Sequence, residues 1–230
     1  MTDRKSELAR NLDWVNSQIA EAANEAGRSA DEITLVAVSK TWPASDVRLL
    51  HSLGQKDFGE NRAQEAIPKA AALFDLDITW HHIGQIQTNK AGQIVRYANV
   101  VQSIDRSKAA AAIARAAAVA EKNIEVLVQV SLDSEQAENR AGAEFPEVLR
   151  IANEIQQLKN LSLLGLMAVA PLGESAAVAF SRMAPLVNVF QSEYPKSKVV
   201  SIGMSGDFKE AIAAGATHVR IGSLLFGNRG

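Results

Sequence analysis

The stretch that decides the fold is Ile33-Thr34-Leu35-Val36-Ala37-Val38-Ser39-Lys40. Its unbroken β-branched and aliphatic run has the character of a strand buried on both faces, as in a parallel sheet covered by helices. The run stops at a lone lysine followed by Thr41-Trp42-Pro43. A lysine at the carboxyl end of a buried strand is costly, because a low-dielectric interior penalises the charged amine and favours the neutral nucleophile. The alternative is a side chain leaving the strand end for solvent.

Upstream, Leu8, Leu12, Val15 and Ile19 recur at helical spacing and Gly27 stands where a C-cap residue would, which predicts an amphipathic helix over residues 1–27 laid on the body. Downstream, Pro43-Ala44-Ser45 opens a helix to Leu53. Short strands are then expected at Asp57–Glu60, Ile78–Ile83, Asn99–Ile104, Glu125–Leu132, Leu161–Val169, Lys198–Ile202 and His218–Ile221. Between them lie helical patterns from Asn61 to Ala71, Asn89 to Tyr97, an Ala-rich segment over Ala109–Ala120, Phe145 to Leu158, Ser175 to Ser192 and Phe208 to Ala214, and Ser223–Phe226 ends the series. Eight strand-then-helix alternations without a linker predict one α/β domain over residues 1–230, a (β/α)8 TIM barrel with an added N-terminal helix and no second β domain. A doubly wound open sheet competes, but no Gly-x-Gly-x-x-Gly turn follows Val38.

The 230 residues approach the roughly 250 of a single barrel, and 47% hydrophobic with 22% charged residues describes an ordinary globular chain. A net charge of −2 offers no general attraction to nucleic acid or anionic membrane. The absence of cysteine removes disulfides, thiolate metal sites and cysteine nucleophiles. A charged start with no following apolar run gives neither a signal peptide nor a membrane span, and a cytoplasmic protein is expected.

Barrels of this kind gather functional groups at the carboxyl ends of their strands and commonly hold phosphate after strands seven and eight. There the chain reads Ile202-Gly203-Met204-Ser205-Gly206-Asp207 and Arg220-Ile221-Gly222-Ser223, glycines that let backbone approach an anion beside two hydroxyls. Read separately, either loop could be an ordinary turn. Asn61 after strand two is equally an amide at the site or a plain helix N-cap, and Arg62 with Glu65 is equally a surface ion pair. In Trp80-His81-His82-Ile83-Gly84 the two histidines face opposite sides, so one points into the barrel. Without cysteine or a His-x-x-x-His spacing, no metal site is expected.

These residues together resemble a known family. Val38-Ser39-Lys40, Phe58-Gly59-Glu60-Asn61-Arg62-Ala63-Gln64-Glu65, Trp80-His81-His82-Ile83-Gly84-Gln85-Ile86-Gln87-Thr88-Asn89-Lys90, Gly165-Leu166-Met167, Gly203-Met204-Ser205-Gly206-Asp207-Phe208 and Val219-Arg220-Ile221-Gly222 are similar to the motifs, in order, of the pyridoxal 5′-phosphate (PLP) homeostasis proteins. That family has a barrel similar to the N-terminal domain of bacterial alanine racemase. The resemblance implies PLP as cofactor, with Lys40 as Schiff-base lysine, Ser205, Gly222 and Ser223 on the phosphate, Met204 beside them, Arg220 facing the pyridine nitrogen and Asn61 near the ring. His81, Lys90 and Arg140 in the Asp133–Ala143 loop are secondary candidates.

An arginine opposite the pyridine nitrogen discourages its protonation and leaves the ring a weak electron sink. A racemase of this lineage also uses a base from a second domain, for which this sequence has no room. The expectation is therefore a non-catalytic PLP carrier or buffer, a monomer, with apo PLP-dependent enzymes as acceptors. The competing readings are a low-activity, racemase-like PLP enzyme acting on amino acids, and a barrel enzyme acting on a phosphorylated small molecule without PLP.

Overall fold

A computed structural model of the chain describes residues 3–133 and 142–227. The strand elements are β1 (Thr34–Val38), β2 (Asp57–Glu60), β3 (Thr79–His82), β4 (Val100–Ile104), β5 (Ile124–Val130), β6 (Leu161–Ala168), β7 (Val199–Met204) and β8 (His218–Ile221). They pair in sequence order, all parallel, into a closed barrel, with β8 returning to β1 through Thr34↔His218 and Ala37↔Ile221. The expected (β/α)8 architecture is what forms.

The outer layer comprises α1 (Arg4–Glu25), α2 (Ala44–Ser52), α3 (Ala63–Ala71), α4 (Ala91–Tyr97), α5 (Ser107–Val119), α6 (Phe145–Gln156), α7 (Ala176–Ser181), α8 (Met183–Glu193), α9 (Phe208–Ala213) and α10 (Ser223–Phe226). The main apolar core lies between barrel and helices: the strands supply Leu35, Ala37, Phe58 and Val126, and α5 supplies Ala109, Ala110, Ile113 and Ala117. Alanine on the buried face lets a helix sit close to a sheet while keeping high helix propensity. α1 buries Leu8, Leu12, Val15 and Ile19. Arg28 N–H bonds back to Ala23 O past Gly27, whose φ of 68° closes the helix as its position in the sequence implied.

Several boundaries depart from the sequence reading, among them β5, which ends at Val130 rather than Leu132, and α4, which starts at Ala91 rather than Asn89. The helix expected over Ser175–Ser192 is two, α7 and α8, broken at Arg182. Pro185 has no N–H to give the Ser181 carbonyl, and the Arg182 side chain is pulled aside to Glu174 and to Leu132 O. β7 continues through Gly203 to Met204 rather than ending at Ile202. Asn61 does not cap the following helix; α3 begins at Ala63 with Arg62 in extended conformation before it.

Inside the barrel the side chains form a second, smaller interior. Val36, Val38, Val100, Leu127 and Met167 are buried but stand outside the main cluster. They share this interior with polar groups, His81, Gln102, Ser201 and Arg220, each no more than 4% exposed.

Candidate functional site

Lys40 follows β1 at the carboxyl mouth of the barrel in a tight turn, closed by Trp42 N–H donating to Ser39 O at 3.0 Å. Thr41 takes a φ of 71° in it, a left-handed value that a β-branched residue adopts only under constraint. The constraint comes from outside the barrel. Glu65 of α3 accepts the Thr41 N–H, and Lys69 donates to Ser39 O at 2.8 Å, to Glu60 Oε1 at 2.5 Å and to Glu65 Oε1 at 3.1 Å. Ser39 Oγ also donates to Glu60 Oε1, at 2.7 Å. Both neighbours of Lys40 are thus clamped by one buried charge cluster. Burial raises the Glu60 pKa while Lys69 and the Ser39 hydroxyl pull it back. Glu65 therefore does not form the surface pair with Arg62 that its spacing suggested.

Lys40 lines a cavity of about 580 Å3 with Val38, Trp42, Ile83 and Arg220, and with Met204, Ser205, Gly206, Gly222 and Ser223. Trp42 is held between Phe226, stacked at 5.5 Å, and the Arg4 guanidinium at 5.0 Å. The two loops at the far side are tied together by Gly222 N–H donating to Ser205 Oγ at 3.3 Å, and the first is closed on itself by Asp207 Oδ1 accepting from Met204 N–H at 2.5 Å. Gly203 bends β7 into the first loop with a φ of 92°, where a Cβ would stand 2.5 Å from Ala211 Cβ. At Gly206 a Cβ would meet nothing within 4 Å, so the backbone faces open space.

Arg220 enters from β8 wholly buried. Its Nη1 donates to Ser201 O at 2.7 Å and Ser201 Oγ at 2.8 Å, and its Nη2 to Ala168 O at 2.9 Å. Burial brings its pKa down to about 10, opposed by Asp207, so it carries its charge at neutral pH.

Of the residues singled out from sequence, Lys40, Met204, Ser205, Arg220, Gly222 and Ser223 meet in this cavity. Asn61 does not line it. It borders a neighbouring polar cleft of about 410 Å3 with Arg62, His82, Gln85 and Lys90. Asn61 is held there against Gly84, where a Cβ would fall 2.1 Å from Asn61 O, so only glycine permits this approach. His81 is also elsewhere. It does point into the barrel, but toward the opposite mouth, between Asp57 and Gln102. His82 faces outward to Tyr97 Oη at 2.7 Å, and burial takes its pKa down to about 4. Arg140 lies outside the described residues. Sequence reading missed Ser39, Glu60 and Lys69, which support Lys40, and Ser201, which supports Arg220. The one local sign was Ser201, a polar residue set inside an apolar strand.

A family model described as the alanine racemase N-terminal domain matches residues 11–230. A pyridoxal phosphate homeostasis protein of Pseudomonas aeruginosa is 40% identical over 227 residues, covering 97% of this chain and 96% of that protein. One of Mycobacterium leprae is 37% identical over 241 residues, covering 98% and 94%. PipY of Synechococcus elongatus, solved with PLP bound, is 33% identical with a TM-score of 0.82, covering 96% of this chain and 100% of that one. With so much of its length matched on both sides, the chain belongs to the pyridoxal phosphate homeostasis protein family, whose barrel is that of the alanine racemase N-terminal domain.

Proposed function

We propose that this protein binds PLP in the Lys40 cavity and serves PLP homeostasis as a carrier or buffer, without turnover of its own. One observation carries the reading: an amine, an anion cup and a buried guanidinium converge on one cavity of about 580 Å3, within the range of roughly 300–1,000 Å3 usual for cofactor sites. The residues present fit the group. PLP brings an aldehyde that condenses reversibly with an amine, a phosphate and a pyridine ring.

Lys40 is the amine, on a turn whose two flanking residues are pinned. Ser205, Gly222 and Ser223, with the backbone at Gly206 and Met204 beside them, would receive the phosphate where the missing Cβ of Gly206 leaves the main chain open. Arg220, buried in the cavity lining, would meet the ring nitrogen as a fixed positive charge, which would oppose protonation there and deprive carbanion chemistry of its main stabiliser. Asn61, which borders the neighbouring cleft, is not among the residues that hold the ring. The names of the homologues and the PLP-bound PipY structure support the same reading. We place the protein in the cytoplasm as a monomer that gives PLP to apo enzymes. Among the described residues no helix is long and apolar enough to cross a membrane.

Purified protein is expected to be yellow, and Lys40→Ala to lose the visible absorbance while remaining folded. Holo-protein should restore activity to an apo PLP enzyme. A colourless protein that takes up no added PLP overturns the binding reading, and amino-acid turnover of about 1 per second or faster overturns the non-catalytic one.

A further inference from the structure

The inner layers of such barrels are ordinarily filled by branched aliphatic side chains. Here a continuous polar path crosses the interior. Ser201 Oγ accepts from Arg220 Nη1 at 2.8 Å, and the same hydroxyl donates to Gln102 Oε1 at 2.8 Å. Gln102 Nε2 lies 2.9 Å from His81 Nδ1, and His81 Nε2 lies 2.9 Å from Asp57 Oδ1. The path runs through β8, β7, β4, β3 and β2. It ends at a small cavity of about 220 Å3 at the amino-terminal mouth, lined by Asp57, Thr79, Glu125 and His218. The Asp57 side chain is 28% exposed there.

The two ends fix every link between them. A guanidinium only donates, so the Ser201 oxygen accepts from it and turns its own O–H to Gln102. The Gln102 carbonyl is thereby committed to Ser201 and its amide nitrogen to His81. His81 Nδ1 must then accept, which leaves its Nε2–H to donate a hydrogen bond to the Asp57 carboxylate. Each bond points from the buried cation toward the buried end of an anion, the arrangement in which hydrogen bonds polarise one another. Among the described residues no carboxylate bonds directly to Arg220.

We infer that Asp57, His81, Gln102 and Ser201 form a positioning relay that sets the orientation and charge environment of Arg220 from the opposite mouth of the barrel. The inference rests on the PLP reading only in that Arg220 faces the cofactor ring. It makes His81 a partner of the site through Gln102 and Ser201, not a cofactor contact.

The relay is tested first without cofactor. The Arg220 guanidinium N–H signals are followed by NMR in the wild type, Asp57→Asn, Ser201→Ala and Ser201→Thr. Slowly exchanging signals are expected in the wild type, shifted and faster exchanging in Asp57→Asn and Ser201→Ala, and largely restored by Ser201→Thr. In the PLP-loaded proteins the pH midpoint of the visible absorbance should move by about one unit in Asp57→Asn, and PLP affinity should fall roughly tenfold in Ser201→Ala. Asp57 sits at the partly exposed end, so its variant reads the relay even if Ser201→Ala does not fold. Unchanged Arg220 signals in Asp57→Asn overturn the relay whether or not PLP binds. Failure of the wild type to take up PLP, with the Arg220 signals responding as expected, overturns the cofactor reading and leaves the relay standing.

Discussion

At the scale of single residues, the Lys40 turn depends on Lys69. Its side chain is 5% exposed, and that of its partner Glu60 is fully buried with Oε2 lacking any hydrogen bond. Breaking a buried pair from one side leaves an uncompensated charge, which commonly costs about 3–5 kcal/mol. Lys69→Met is accordingly expected to lower unfolding free energy in urea by about that amount, and adding Glu60→Gln should recover part of it, since the remaining carboxylate, Glu65, has a side chain 31% exposed. A single-variant loss below about 1 kcal/mol would show that the pair does not act as an ionic brace. None of this could be read from sequence. Glu60 ends one strand and Lys69 lies nine residues on, at no diagnostic spacing, and their meeting with Ser39 requires β1, β2 and α3 to be assembled. Lys40 itself was legible because its signal is local: a charged residue where a buried strand stops.

At the scale of elements, the barrel was legible because each β–α unit carries its own hydrophobic period, and both glycine and hydroxyl loops lie directly after their strands. The errors fall where tertiary contacts override local pattern. α7 and α8 part at Arg182, whose guanidinium is recruited by Glu174 and the Leu132 carbonyl. The Arg220 support was invisible for a related reason, since Gln102 and Ser201 are 99 residues apart and become neighbours only when the sheet closes. The β7–α9 junction gives the sharpest element-level prediction. Gly203 combines a φ of 92° with a Cβ position 2.5 Å from Ala211 Cβ, so Gly203→Ala meets both strain and overlap. It is expected to cost roughly 2–4 kcal/mol. It should also weaken PLP uptake more than Gly27→Ala, whose positive φ carries the strain without any neighbour within 4 Å. Equal PLP affinity in the two variants, measured by equilibrium dialysis, would mean that β7 does not shape the phosphate end.

For the whole molecule, the buried His82 and the half-buried His218 predict how stability follows pH. Burial takes both His82 and His218 down to about 4 from an ordinary value of 6.5. Between those values the unfolded chain binds a proton at each histidine and the folded chain does not. The unfolded state therefore holds more protons, and stability rises with pH across this window. It is complete above about 6.5 and is lost as pH falls toward 4. A shift of this size on His82, only 2% exposed, corresponds to roughly 3 kcal/mol, a large share of the 5–15 kcal/mol typical of a domain. Glu60 works in the opposite direction: its raised pKa favours the folded state at low pH and that contribution fades as pH rises. The raw slope therefore mixes both signs, and the comparison with His82→Phe isolates the histidine. That variant should be less stable at pH 7, because the Tyr97 hydroxyl loses its 2.7 Å partner. Its unfolding free energy should nevertheless fall less steeply between pH 6.5 and 4, with the two curves converging at the acid end. Parallel curves from urea titrations at several pH values would show that His82 titrates alike in both states, and that the acid sensitivity of the barrel lies elsewhere.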